Sequence, residues 1–158
     1  MGKALSKEAI EQFHNEGYHL PIKAVSKEAA VEMRRQLEAY ETSAGGVLHG
    51  ARRYKSHLLF KWLSDLIRTP AILDAVEDLI GPDILVWSTD WWIKEARSPQ
   101  FVSWHQDSQY WGLDTANWLR YGSHCHHQRR ILAVCVFSLG VTRDRTLSML
   151  KPIMMTIC

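Results

Sequence analysis

Apolar residues recur at three- and four-residue steps through the first half of the chain and at two-residue steps after position 84, which predicts helices first and strands second. Ser6 reads as an N-cap, Ile10 and Phe13 share one helical face, and Gly17 stands where a C-terminal stop belongs. Ser26 opens a second helix through Ala30, Met33, Leu37 and Tyr40, and Thr42 to Gly50 reads as a loop. Leu59, Trp62, Leu63, Leu66 and Ile67 form a third apolar face. Thr69 and Pro70 then supply a cap and a proline first residue for a fourth helix, which Gly81-Pro82 ends. From Ile84 the set Leu85, Trp87, Thr89, Trp91 and Ile93 alternates with neighbours of more mixed polarity and predicts a strand. Pro99 marks a turn, and Phe101 to His105 reads as the next strand of an antiparallel pair. The fold class expected is α+β, a helical layer backing a sheet, with no internal repeat.

Composition narrows the class. At 158 residues, with 46% apolar and 23% charged positions, the chain is about one globular domain rather than a disordered or fibrous one. The apolar run Ile131 to Phe137 is well short of the roughly 18 residues that cross a bilayer, and Met1 to Ala9 has no apolar signal-peptide core. A soluble cytoplasmic protein with no membrane span is expected. Three cysteines without a CxxC pair support neither a disulfide framework nor a cysteine-built zinc site.

Charge divides the chain near Trp118. Residues 1–118 carry a net −3, whereas residues 119–158 carry a net +5 and hold Cys125, Cys135 and Cys158. A basic tail is one route to nucleic acid, but these charges form no helical stripe and no aromatics interleave with them for base stacking. No nucleic-acid partner is expected.

His105-Gln106-Asp107 is the candidate for chemistry, because side chains two apart on an extended strand point to the same side. An imidazole and a carboxylate so placed are two of the three ligands of a 2-His-1-carboxylate facial triad, the set that leaves positions on Fe(II) open. The bare pattern also occurs by chance, as a surface histidine beside a turn aspartate.

The surrounding residues are more specific. Phe101 to Leu113, reading F-V-S-W-H-Q-D-S-Q-Y-W-G-L, resembles the metal-binding segment of the phytanoyl-CoA dioxygenase family, which are Fe(II)- and 2-oxoglutarate-dependent oxygenases. Trp91 to Glu95 resembles the family's preceding strand, and Phe13 to Tyr18 its opening F-x-x-x-G-Y; the likeness spans roughly residues 8 to 117. The resemblance implies a helical layer packed on an incomplete double-stranded β-helix, a jelly-roll barrel. It implies His105 and Asp107 as metal ligands, with Gln106 beside them and Lys94 in contact with the co-substrate, where an ammonium suits a carboxylate oxygen. Trp104, Tyr110 and Trp111 are substrate-pocket candidates, although an aromatic cluster is more often core than pocket. The implied reaction consumes O2, converts 2-oxoglutarate to succinate and CO2, and oxidises a C–H bond of a small organic or lipid-like substrate. Asp107 favours hydroxylation, since related halogenases vacate the carboxylate position.

The family pattern also implies a distal histidine and an arginine, which this chain ends too early to supply. His124, His126 and His127 lie too close to Asp107 to match. Back-translated and read from the third base of each codon from Trp118 onward, the tail yields AAVWVALSPPTADSGCMRVLPGSH with suitable synonymous codons, which resembles the family's next strand and turn. Residues 1–118 are therefore expected to be the N-terminal part of an oxygenase domain. Residues 119–158 are expected to be an out-of-frame tail from a gene lesion, splice variant or gene-model error. Impaired or absent turnover follows, and a non-catalytic interaction fragment of the same fold is the alternative. His14, His19, His49 and His57 lack ligand spacing and are expected to be structural or solvent-facing.

Overall fold

The computed structural model describes residues 2–95, Pro99, Phe101, 118–127, 130–140 and 154–157. Four helices precede most of the strands: α1 (Lys7–Glu16), α2 (Lys27–Ser43), α3 (Lys61–Leu66) and α4 (Pro70–Ile80). The strands are β1 (Tyr18–His19), β2 (Ile84–Glu95), β3 (Trp118–His127), β4 (Arg130–Gly140) and β5 (Met154–Ile157). Two 3-10 turns, Gly50–Arg53 and Ser56–Leu58, lie between α2 and α3.

Local chemistry sets the helix ends. Ser6 and Ser26 each accept a hydrogen bond from the backbone N–H three residues on, at 3.2 Å, each cap contributing about 1 kcal/mol. Gly17 takes φ 83°, open to glycine at little cost, and its N–H donates to the Phe13 carbonyl at 2.8 Å. Thr69 occupies the N-cap position of α4, yet its hydroxyl donates to the Asp65 carbonyl at 3.4 Å. The last turn of α3 competes for the side chain there. α2 runs to Ser43, beyond the Thr42 at which a loop was expected, and Thr42 and Ser43 hydroxyls donate back to the Glu38 and Tyr40 carbonyls, both at 2.8 Å. Leu59 precedes α3 and is 60% exposed, so the third apolar face begins after it.

The helical faces converge on one core that includes Phe13, Leu37, Leu63, Leu66, Ile67, Ile72, Ala75, Val76, Trp91 and Leu119. A run of ring contacts threads it from α2 to β2. Tyr40 meets Phe60 edge-on at 4.8 Å, Phe60 stacks on Trp62 at 5.9 Å, and Trp62 meets Trp91 edge-on at 5.9 Å.

The N-terminal residues are tied to α4 by one carboxylate. Asp78 accepts backbone N–H bonds from Lys3, Ala4 and Leu5 at 2.7, 2.8 and 2.8 Å, while Lys3 pairs with Glu77 at 2.7 Å. Burial opposes the charge on Asp78, but the three N–H bonds and the nearby Lys3 ammonium outweigh it and hold the carboxyl below its ordinary value. Asp78→Ala is expected to cost about 2 kcal/mol, because three donors lose a charged acceptor in one step. A lowered carboxyl pKa stabilises the fold above the unfolded-state value and is lost as pH falls through the folded-state one. Urea midpoints of the two proteins should therefore converge below about pH 4 and separate above it; equal midpoints at neutral pH would contradict this anchoring.

The strands form one mixed sheet in the order β1-β5-β3-β4-β2. β2 pairs antiparallel with β4 from Ile84 opposite Gly140 to Glu95 opposite Arg130, and β3 pairs antiparallel with β4 and parallel with β5. A register shift between Val86 and Ser88 makes Trp87 the extra residue of a β-bulge. This corrects the alternation read from sequence. Leu85 is 57% exposed, whereas Ile84 and Val86 pack on the core before the bulge and Thr89 and Trp91, 0% and 1% exposed, fill it afterwards. The mixed helix and strand content agrees with the α+β reading. The strand expected from Phe101 to His105 lies, beyond Phe101 itself, outside the described residues. Among the described residues no helix is long and apolar enough to cross a membrane.

Candidate functional site

In sequence β2 ends at Glu95, ahead of the His-x-Asp segment, so the positioning of β2 bears on any site built there. Among the described residues β2 is an edge strand of the sheet, and an open edge leaves backbone groups without ladder partners. Residues 53–57 cover part of this edge. The Arg53 guanidinium donates from Nε and Nη2 to the Trp91 carbonyl at 3.0 and 2.7 Å, and Tyr54 forms a β-bridge with Asp90. The Trp91 indole N–H donates to Ser56 Oγ at 2.8 Å, and Ser56, fully buried, donates to the Arg52 carbonyl at 3.0 Å. The His57 backbone N–H donates to Thr89 Oγ1 at 3.1 Å, and its Nδ1 lies 2.9 Å from the same oxygen. Lys55 Nζ stands 4.8 Å from the centre of the Trp87 ring, a cation–π contact.

This segment escaped the sequence reading. It has no helical or strand period, and nothing in the run Arg52 to His57 marks it as a partner of a strand more than thirty residues away. The reading of His57 as structural does agree with its bond to Thr89. Burial, followed by the positive charges of Arg68 and Lys55, holds the His57 ring below its ordinary pKa. Of the other histidines so read, His14 and His49 are exposed, and half-buried His19 reaches Gln12 Oε1 at 3.4 Å.

The structure places one residue of the expected site on a described element. Lys94 lies in β2 opposite Ile131, one position before the strand ends. Trp104, His105, Gln106, Asp107, Tyr110 and Trp111 lie outside the described residues. His124, His126 and His127 are in β3, where His124 pairs with Ala133, His126 with Ile131 and His127 with Arg130. Among the described residues no group of three or more His, Cys, Asp or Glu is arranged to hold a metal ion. A depression of about 390 Å³ lies at the C-terminal end of α2, lined by residues including Glu38, Glu41 and Val47, and it involves none of the expected site residues.

Comparison with known proteins gives the context for these positions. The family profile described as phytanoyl-CoA dioxygenase matches residues 1–137. No curated protein sequence matches the chain. Among solved structures, a nickel complex of the non-heme monooxygenase ThoJ is similar at 27% identity and a TM-score of 0.61, covering 84% of this chain and 66% of that one. The apo form of ThoJ is similar at 25% identity and a TM-score of 0.62, covering 83% and 70%. CytC3 with Fe(II) and alpha-ketoglutarate shares the fold at 19% identity and a TM-score of 0.51, covering 91% of this chain and 74% of that one. The chain thus spans about two thirds of the length of these structures.

Proposed function

Because the chain belongs to the phytanoyl-CoA dioxygenase family, we propose that it carries the N-terminal part of an Fe(II)- and 2-oxoglutarate-dependent dioxygenase that hydroxylates a small organic or lipid-like substrate. The observation that carries this reading is His105-Gln106-Asp107 inside a family match of residues 1–137. The likeness to a non-heme monooxygenase at 27% identity supports the same oxygenase class. The fold that goes with it is a double-stranded β-helix, to which β2, on the N-terminal side of residue 118, would belong.

The donor chemistry fits the metal: one imidazole and one carboxylate, hard to borderline ligands of the kind Fe(II) takes, with no thiolate between them. In this reading His105 and Asp107 hold Fe(II), and Lys94 offers a positive charge to a carboxylate of 2-oxoglutarate from the end of β2. Gln106, a cofactor-binding candidate, would face the other side of the strand from the two ligands, and Trp104, Tyr110 and Trp111 would shape an apolar wall for substrate. Bound Fe(II) with 2-oxoglutarate supplies the capacity to activate O2 for attack on an unactivated C–H bond. The edge contacts of residues 53–57 hold the strand that leads to these groups.

The proposal includes a boundary at residue 118, with residues 119–158 read in a shifted frame. Its support is the change from net −3 to net +5 and the family-like sequence in the other frame. The family match itself continues to residue 137, across that boundary. With two protein ligands and no assigned arginine, this chain is expected to bind iron and co-substrate weakly.

Anaerobic titration of Fe(II) and 2-oxoglutarate, read by the visible charge-transfer absorption of the chelate, tests the reading in two proteins. One is this chain; the other carries the shifted-frame continuation after residue 117, taken from the nucleotide sequence. A weak band in the first and a strong one in the second are expected. No band in either, with both folded by circular dichroism, would overturn the dioxygenase reading in favour of a non-catalytic fragment.

A further inference from the structure

We infer that residues 53–57 form a pH-sensitive latch on the outer edge of β2, closed while the His57 ring is neutral and released when Nδ1 takes a proton. The geometry at Thr89 carries this. Its side chain is 0% exposed, and its oxygen already accepts the His57 backbone N–H at 3.1 Å. A buried hydroxyl must also place its own proton, and His57 Nδ1, 2.9 Å away, is positioned to accept it when the ring carries its proton on Nε2. The two bonds are reciprocal: backbone N–H to oxygen, and hydroxyl to ring nitrogen. They require the neutral ring with its proton on Nε2.

Protonating Nδ1 turns an acceptor into a donor. Two N–H groups then point at one hydroxyl oxygen, and the buried hydroxyl proton is displaced from its acceptor. The charged groups on the surrounding elements add to the effect. Arg68, just after α3, and Lys55 beside the ring both oppose a second positive charge. The first 3-10 turn contributes Arg52 and Arg53, with Arg53 bound to the Trp91 carbonyl. On α3, Asp65 is engaged by Lys61 at 2.6 Å, and on β2, Asp90 accepts from the Ser88 hydroxyl at 2.7 Å.

The latched ring titrates below its ordinary value of about 6.5, and the released, solvated ring at about that value. Protons therefore bind more readily to the open form. Closure is at full strength above about pH 6.5 and is lost as pH falls below it, by up to about tenfold per unit until the latched ring itself titrates. Opening removes the Tyr54 bridge and the Arg53 contacts together and exposes the edge of β2 from Thr89 to Trp91.

The Trp91 indole N–H, which donates to Ser56, reports the state of the latch through its hydrogen exchange. Its opening constant, corrected for intrinsic exchange, should rise on acidification below about pH 6.5 in this chain, by up to about tenfold per unit, until the latched ring itself takes a proton. His57→Asn retains an acceptor oxygen near the Nδ1 position and does not titrate, so its opening constant should stay flat across the same range. An equal rise in His57→Asn would overturn the latch. A measurement on the unsubstituted chain decides the matter even where that variant does not fold. Nitrogen chemical shifts should show His57 at neutral pH as the Nε2–H tautomer, and a proton on Nδ1 would overturn the proposal.

Discussion

Trp91→Ala is expected to remove about 3–5 kcal/mol of folding stability, the range for deleting a buried aromatic side chain. The indole is 1% exposed and packs edge-on against Trp62 at 5.9 Å, so its removal opens a void at the junction of the helical layer and β2. The same change takes away the donor to Ser56 Oγ, a fully buried hydroxyl. For a domain of this size the total is only about 5–15 kcal/mol, so the variant should unfold at a small fraction of the parent's urea midpoint, or fail to fold. Trp91→Phe separates the two contributions. It keeps most of the apolar volume and gives up the hydrogen bond, with an expected loss of about 1–2 kcal/mol. A loss under about 1 kcal/mol for Trp91→Ala would mean that the helical layer is stable without β2.

The second large effect concerns the metal. If His105 and Asp107 are both ligands, His105→Ala leaves one protein donor, and Fe(II) affinity is expected to fall by tenfold or more, since even outer contacts to metal ligands change affinity by about 10–100-fold. Asp107→Ala is expected to weaken iron similarly but to differ in character, because it removes the anionic ligand and leaves a position that a small anion can take. Lys94→Met, by contrast, should leave iron affinity unchanged and weaken 2-oxoglutarate alone. Calorimetric titration of Fe(II) and then 2-oxoglutarate into each variant separates the three cases. Iron affinity unchanged in His105→Ala would remove His105 from the ligand set and, with it, the main support for the oxygenase reading.

Helix positions in this chain were legible because their end signals are local. Ser6 and Ser26 cap through their own hydroxyls, and Gly17 and Gly81 stop helices by backbone conformation that needs no distant partner. Thr69 shows the limit: its position was readable, but the destination of its hydroxyl depended on the end of α3. The edge cover from Arg53 to His57 was invisible for a stronger reason. Each of its hydrogen bonds to β2 joins residues 32 to 38 positions apart, and short-range periodicity carries no trace of such pairings. For the candidate site the situation is reversed. His105 and Asp107 stand out through the family-like segment Phe101 to Leu113 around them, since the bare spacing also occurs by chance, whereas the pocket around them is a matter of tertiary arrangement.

The bulge at Trp87 matters for any residue-by-residue transfer from relatives. Ile84, Val86, Thr89 and Trp91 would follow a plain two-residue alternation if Trp87 were skipped, so Trp87 is an inserted residue that the strand absorbs without turning its core positions outward. A relative with an unbulged strand has one residue fewer at this point. Its positions must be matched to this chain with a one-residue gap at Trp87, and Lys94 finds its true counterpart only when counted from the far side of that gap.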